Sequence, residues 1–293
     1  MAEASPDWFL RAVGQAPELR DVEIDGCRVR LRTWGEPGQP GIVLVHGGAA
    51  HAGWWDHVAP FLAVDRFVVA VDLSGHGDSE WRGSYSTEVW SDEVEAAALL
   101  AAAGGPPAVV VGHSMGGRVA VMCAARRPES VGAVVLVDSP LADRRHDEEL
   151  LARRRRPTLV YPGPDDAVSR WATLPPQDGN LPFVRDRVAR HSLRQVDGGW
   201  TWKFDPGFFG RASTLGDALD RVRCPLVLLH SEQGILSARR VQQARERLGA
   251  SLDVVELPAA GHHPMLDQPL LLIGALRAVL ELGATRRRER SRA

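Results

Sequence analysis

The chain has 293 residues and a mass of 31.9 kDa, the size of one large domain or of one domain carrying an insertion. With 44% hydrophobic and 25% charged residues it has ordinary globular composition, and 35 basic against 37 acidic residues leave a net charge of −2, which excludes an electrostatic drive toward nucleic acid or an anionic membrane. Cys27, Cys123 and Cys224, with no Cys-x-x-Cys spacing, argue against a disulfide scaffold or zinc site and for a reducing cytoplasm; no apolar run has the length of a membrane span, and Met1–Asp7 lacks the pattern of a signal peptide.

In chain order, Val22–Ile24 and Arg28–Trp34 read as an antiparallel pair turned at Asp25-Gly26. Short apolar, β-branched runs follow at Ile42–Val45, Phe67–Val71, Val109–Val111, Val134–Val137, Leu226–Leu229 and Asp253–Leu257. Each ends in Gly, Pro, Asp or His, as strands covered on both faces of a parallel sheet do. Between them Ser91–Ala103, Gly116–Arg127, Ala238–Leu248 and Gln268–Leu282 read as helices. The alternation predicts an α/β sheet with right-handed crossovers.

The alternation breaks between Pro140 and about Gly216, a stretch holding three of the nine tryptophans (Trp171, Trp200 and Trp202) and no buried-strand pattern. It reads as an insertion that folds over one end of the sheet as a lid. The expected division is a core of residues 1–140 and 216–293 with a helical cap of 141–215. The only lysine, Lys203, lies in Gly199-Trp200-Thr201-Trp202-Lys203-Phe204. That is no glycine loop, which excludes a P-loop and argues against a pyridoxal enzyme. The Arg153–Arg156 run and the Arg286–Arg292 tail read as solvated charge, with an anion contact as the alternative for each.

Chemistry concentrates in Gly112-His113-Ser114-Met115-Gly116-Gly117, which follows one strand directly and opens a helix. Glycines on both flanks of a serine are what a sharp strand-to-helix turn needs. The hydroxyl is thrust up at the carboxyl end of the strand, beside a helix N-terminus whose free N–H groups favour a developing anion. Three further segments stand in order along the chain: His46-Gly47-Gly48, Asp72-Leu73-Ser74-Gly75-His76-Gly77-Asp78-Ser79, and Gly261-His262-His263-Pro264.

With these four motifs the chain resembles the α/β-hydrolase fold superfamily from about Val22 to Leu282. The resemblance implies a mostly parallel, eight-stranded sheet flanked by helices, with a helical cap and a serine nucleophile. It implies Ser114 as nucleophile, His262 as base with His263 the adjacent alternative, and the amides of Gly48 and Met115 as an oxyanion hole. His46 would brace its loop rather than titrate, and the segment from Asp72 to Ser79 would be structural. Trp54 and Trp55 would pack the core or wall the acyl pocket. His113 would be a loop residue or touch substrate. The insert's tryptophans and Phe208-Phe209 would line an apolar pocket or pack the lid down.

The third member of a triad is where the sequence departs from the commoner pattern. Many relatives carry an aspartate after the strand matching Leu226–Leu229, but here Gly234 and Ile235 occupy those positions in His230-Ser231-Glu232-Gln233-Gly234-Ile235. Two carboxylates are candidates to orient the imidazole: Asp138, ending the strand Val134–Val137, and Glu232 in the usual loop. The expected chemistry is acyl transfer on a small to medium carboxylic ester in the cytoplasm, with no metal or organic cofactor, a small-molecule substrate, and no nucleic-acid or membrane partner. The same constellation also suits a carbon–carbon, thioester, lactone or cyanohydrin substrate. A non-catalytic ligand receptor on this fold would carry a broken nucleophile or base, whereas Ser114 and His262 both stand.

Overall fold

A computed structural model describes residues 5–141, 152, 158–209 and 215–290, the last seven as backbone only. The Arg153–Arg156 run and the side chains of the basic tail lie outside the described residues. The main sheet has eight strands: β1 (Glu18–Ile24), β2 (Cys27–Trp34), β3 (Gly41–Val45), β4 (Phe67–Val71), β5 (Ala108–His113), β6 (Val131–Val137), β9 (Leu226–Gln233) and β10 (Leu252–Gly261). A separate two-stranded sheet holds β7 (Leu193–Val196) and β8 (Gly199–Trp202).

The spatial order of the main sheet is β1-β2-β4-β3-β5-β6-β9-β10. β1 and β2 form an antiparallel hairpin and β2 pairs antiparallel with β4; every other neighbouring pair is parallel. The hairpin turns at Asp25 and Gly26, whose φ values of 47° and 68° are the left-handed pair a two-residue turn requires. Every residue of β3, β4 and β5 is buried, which is why their sequences are unbroken apolar runs rather than alternating ones.

Helices cover both faces. Helix Thr87–Ala102 lays Val94, Ala97 and Ala98 on one face together with Val119 of Met115–Arg126 and Val241 of Ala238–Leu248. Trp54, Trp55 and Leu62, with Leu272, Leu276 and Leu280 of helix Pro269–Arg290, cover the other. Helix Thr87–Ala102 starts before the expected Ser91 because the Ser86 hydroxyl accepts the Val89 N–H at 3.2 Å and caps it.

The stretch between β6 and β9 contains helices Pro164–Ser169 and Pro182–His191, as its helical patches suggest. It also contains the antiparallel β7–β8 pair, turned at Asp197 and Gly198, which a helical cap did not include. Several contacts fasten it to the core, among them three that involve side chains or backbone far apart in the chain. The Leu181 N–H donates to the Leu266 carbonyl at 2.9 Å, the Tyr85 hydroxyl donates to Asp205 Oδ2 at 2.6 Å, and Lys203 Nζ sits 2.7 Å from Asp78 Oδ1. Phe208 and Phe209 join the hydrophobic cluster on one face of the sheet, while Trp171, Val184 and Val188 join the other. Among the described residues no helix is long and apolar enough to cross a membrane; Cys27, Cys123 and Cys224 are free thiols.

Candidate active site

Ser114 stands between β5 and helix Met115–Arg126 with φ 52° and ψ −114°, a conformation a residue with a side chain adopts only when its surroundings hold it there. The tightness of this turn explains its glycines. A Cβ on Gly112 would lie 2.5 Å from the backbone of Gly116, and one on Gly116 would lie 2.4 Å from the His46 carbonyl oxygen. The Ser114 N–H donates to the Val137 carbonyl at 3.1 Å, which ties the turn to the end of β6.

At that end lies Asp138, fully buried and itself at a positive φ of 42°. Its Oδ2 accepts from His262 Nδ1 at 2.6 Å and from the Ile235 N–H at 2.9 Å. His262 Nε2 is in turn 3.0 Å from Ser114 Oγ. With a carboxylate on Nδ1, the neutral ring carries its proton there and leaves the Nε2 lone pair facing the serine hydroxyl. Serine, imidazole and carboxylate thus form one unbroken line of hydrogen bonds, 4% or less exposed at the histidine and the acid.

Of the two candidate carboxylates the structure brings Asp138 to His262. Glu232 is engaged elsewhere: its Oε2 accepts the Ala259 N–H at 2.7 Å, within the irregularity of β10 between Leu257 and Gly261. The geometry also explains the unusual turn after β9. A Cβ on Gly234 would fall 2.3 Å from Asp138 Oδ2. The position where many relatives carry their acid is therefore filled in space by a carboxylate arriving from the neighbouring strand, and the turn is a glycine because nothing larger fits.

The His46-Gly47-Gly48 segment runs alongside the serine: a Cβ on Gly47 would lie 3.4 Å from Ser114 Cβ, and one on Gly48 would lie 3.7 Å from Met115 Sδ. Met115 opens its helix, so its N–H has no acceptor within the helix, and the helix dipole favours negative charge there. His46 donates from Nδ1 to the Gly47 carbonyl at 2.7 Å and accepts the Leu73 N–H on Nε2 at 3.1 Å. Burial pushes its pKa down to about 4, so it is neutral and holds the loop. Asp72 accepts the Ala52 and Asp78 N–H groups at 2.6 and 2.9 Å, fastening the far end of that loop to the Gly75–Ser79 turn. Burial raises its pKa to about 6.

His113 and His263 flank His262 at ring-centroid distances of 4.8 and 4.6 Å. Burial drives the pKa of both well below the ordinary histidine value. His113 Nε2 donates to the His262 carbonyl at 2.8 Å, so this ring grips the backbone of the histidine loop. The three imidazoles have ring nitrogens within 4.8 Å of one another, the only group among the described residues placed to hold a metal ion. Trp55 is fully buried; Trp54, also buried, packs against Trp171 at 5.8 Å and His263 at 5.6 Å.

One further residue bears on the site and had no signal in the sequence. Gln177 Oε1 accepts the His263 N–H at 2.8 Å, and its amide donates to Asn180 Oδ1 at 2.9 Å. It lies in a Pro-Pro-Gln-Asp-Gly-Asn turn that reads as ordinary loop, and only the chain's long-range folding brings it to the histidine.

The chain is similar to known hydrolases. The model of the alpha/beta hydrolase family matches residues 42–275. Esterase Rv0045c of Mycobacterium tuberculosis is 33% identical over 278 residues, 92% of this chain and 91% of that protein. The pimeloyl-(acyl-carrier protein) methyl ester esterase of Sodalis glossinidius is 28% identical over 258 residues, 82% of this chain and 93% of that protein. A solved structure of the Mycobacterium tuberculosis esterase superposes with a TM-score of 0.73 at 26% identity, over 95% of this chain and 100% of the other. An E-2-(acetamidomethylene)succinate hydrolase superposes at 0.78 with 24% identity, over 90% and 99%, a likeness of fold.

Proposed function

Because this chain belongs to the alpha/beta hydrolase family and is a hydrolase, we propose that it is a serine esterase that cleaves a small to medium carboxylic ester through an acyl-enzyme. The observation that carries this reading is the line Ser114 Oγ–His262 Nε2 at 3.0 Å and His262 Nδ1–Asp138 Oδ2 at 2.6 Å. Ser114 attacks the ester carbonyl while His262 takes the hydroxyl proton on Nε2. Asp138 holds the ring in the reactive tautomer and stabilises the imidazolium that forms. The N–H groups of Gly48 and Met115 receive the oxyanion, preorganised by the elbow so that little rearrangement accompanies charge development. His262 then protonates the departing alkoxide, and in the second half it activates a water against the acyl-enzyme.

Apart from that water, the groups that act in each step are this chain's side chains and amides. Residues 141–215 serve as the cap that shapes the substrate site, and unpaired thiols at Cys27, Cys123 and Cys224 suit a reducing cytoplasm. The test is hydrolysis of p-nitrophenyl butyrate by the wild type, Ser114→Ala and Glu232→Gln. The reading expects turnover by the wild type and Glu232→Gln and none by Ser114→Ala. Undiminished turnover by Ser114→Ala would overturn it. Wild-type protein that labels with a fluorophosphonate yet leaves every ester intact would shift the reading to a thioester, lactone or carbon–carbon substrate.

A further inference from the structure

Around the serine, the residues with partial exposure are Gly48, Ala49, Ser114, Met115, Pro140 and Leu141, while His113, His262, His263, Trp54 and Trp55 are buried. Substrate therefore reaches Ser114 across the Gly48–Met115 flank. Among the described residues, Phe208 stands on that flank. A Cβ on Gly48 would lie 3.2 Å from Phe208 Cε2, so the ring edge sits directly against the loop that flanks the serine.

Phe208 is held firmly. Its own turn, Pro206–Phe208, is capped by Asp205, whose Oδ1 accepts the Gly207 N–H at 2.7 Å and whose Oδ2 receives the Tyr85 hydroxyl at 2.6 Å. The ring packs on His76 at 4.5 Å and on Phe209 at 4.2 Å between centroids, and is only 8% exposed. Burial keeps His76 uncharged.

Chemistry fixes which part of an ester meets this wall. The leaving oxygen must lie within reach of His262 Nε2, which protonates it, and the carbonyl oxygen must point to the Gly48 and Met115 amides. The remaining substituent, the acyl chain, is directed away from His262. On this basis, and resting on the esterase reading above, we propose that Phe208 is a specificity-determining residue that closes the acyl side of the site and restricts the enzyme to esters of short-chain acids.

The test uses p-nitrophenyl phosphonates with methyl and octyl chains on phosphorus. Ser114 Oγ bonds to phosphorus, the p-nitrophenolate leaves, and His262 takes the serine proton, so the alkyl group occupies the acyl side without need of turnover. The quantity measured is the ratio of octyl to methyl labelling rate constants in the wild type, Phe208→Ala and Phe208→Leu. This ratio does not depend on how much of a variant preparation is folded. The wild type should favour methyl, Phe208→Ala should raise the ratio on the order of tenfold or more, and Phe208→Leu should fall between. An unchanged ratio with Ser114 still labelled would overturn the role of Phe208 and leave the esterase reading intact. Failure of every phosphonate to label the wild type would overturn both.

Discussion

At the residue scale the acid defines this site. Asp138 Oδ2 is shared between the imidazole and the Ile235 N–H, so Asp138→Asn keeps the shape but offers a donor where an acceptor is needed. The imidazole then takes the wrong tautomer, and kcat is expected to fall by about 10^4; steady-state kinetics on p-nitrophenyl butyrate checks it. Glu232→Gln, which keeps an oxygen for the Ala259 N–H, is expected to cost little in the same assay. A sharper experiment follows from the contact between Gly234 and the Asp138 carboxylate. Gly234→Asp alone should abolish activity, because two carboxylates cannot share that volume. Adding Asp138→Gly, which also suits the positive φ at position 138, should restore at least about tenfold over Asp138→Gly alone, since a positioned acid then meets the histidine again. Recovery measured as kcat decides whether the two positions are exchangeable seats for one function.

At the element scale, Gln177 links the loop before helix Pro182–His191 to the loop that carries His262. Gln177→Ala leaves the His263 N–H without its acceptor, a loss of about 1–3 kcal/mol for an unsatisfied buried group. The expected outcome is a roughly tenfold fall in kcat with KM little changed, restored by Gln177→Glu, which keeps the accepting oxygen; a proportional loss in thermal stability with kcat intact would instead mark a purely structural tie. The same scale separates what the sequence makes legible from what it hides. β3, β4, β5 and β6 are readable because burial on both faces demands continuous apolar runs, and the elbow is readable because its glycines are forced by contacts within a few residues. β7 and β8 are not, because Arg194 and Gln195 interrupt any apolar pattern and Gly199 begins the returning strand. Asp138 and Glu232 were both open because sequence spacing cannot say which carboxylate turns toward the imidazole. Gln177 and the contact of Phe208 with Gly48 depend on partners far along the chain.

For the whole molecule, acid stability is set by buried histidines. Six of them, His46, His51, His57, His76, His113 and His263, together with half-buried His191, have folded-state pKa values pushed down by desolvation. The unfolded chain binds protons at these groups from about pH 6.5 downward while the folded one resists to about 4 at His46, His57 and His191, so stability is lost as pH falls through that window. Buried Asp56, Asp72 and Glu93 and half-buried Asp267 have raised values and act with the opposite sign at lower pH, between the ordinary carboxylate range and about 6 at Asp72. The histidines titrate first on acidification and are more numerous. The melting temperature is therefore expected to drop between pH 7 and pH 5.5, as differential scanning fluorimetry would register; a flat profile there would contradict the assignment of these rings as buried and neutral.

The stretch between β6 and β9 puts Phe208 and Phe209 into the core on one face of the sheet and Trp171, Val184 and Val188 into the core on the other. Its described part sits astride the sheet like a saddle and cannot lift as one body without stripping apolar surface from both sides at once. Among the described residues of this stretch there is then no separate flap for an oil–water interface to pull open. The enzyme's velocity should follow a single hyperbola as a sparingly soluble ester passes from solution into droplets, with no lag and no jump at the solubility limit.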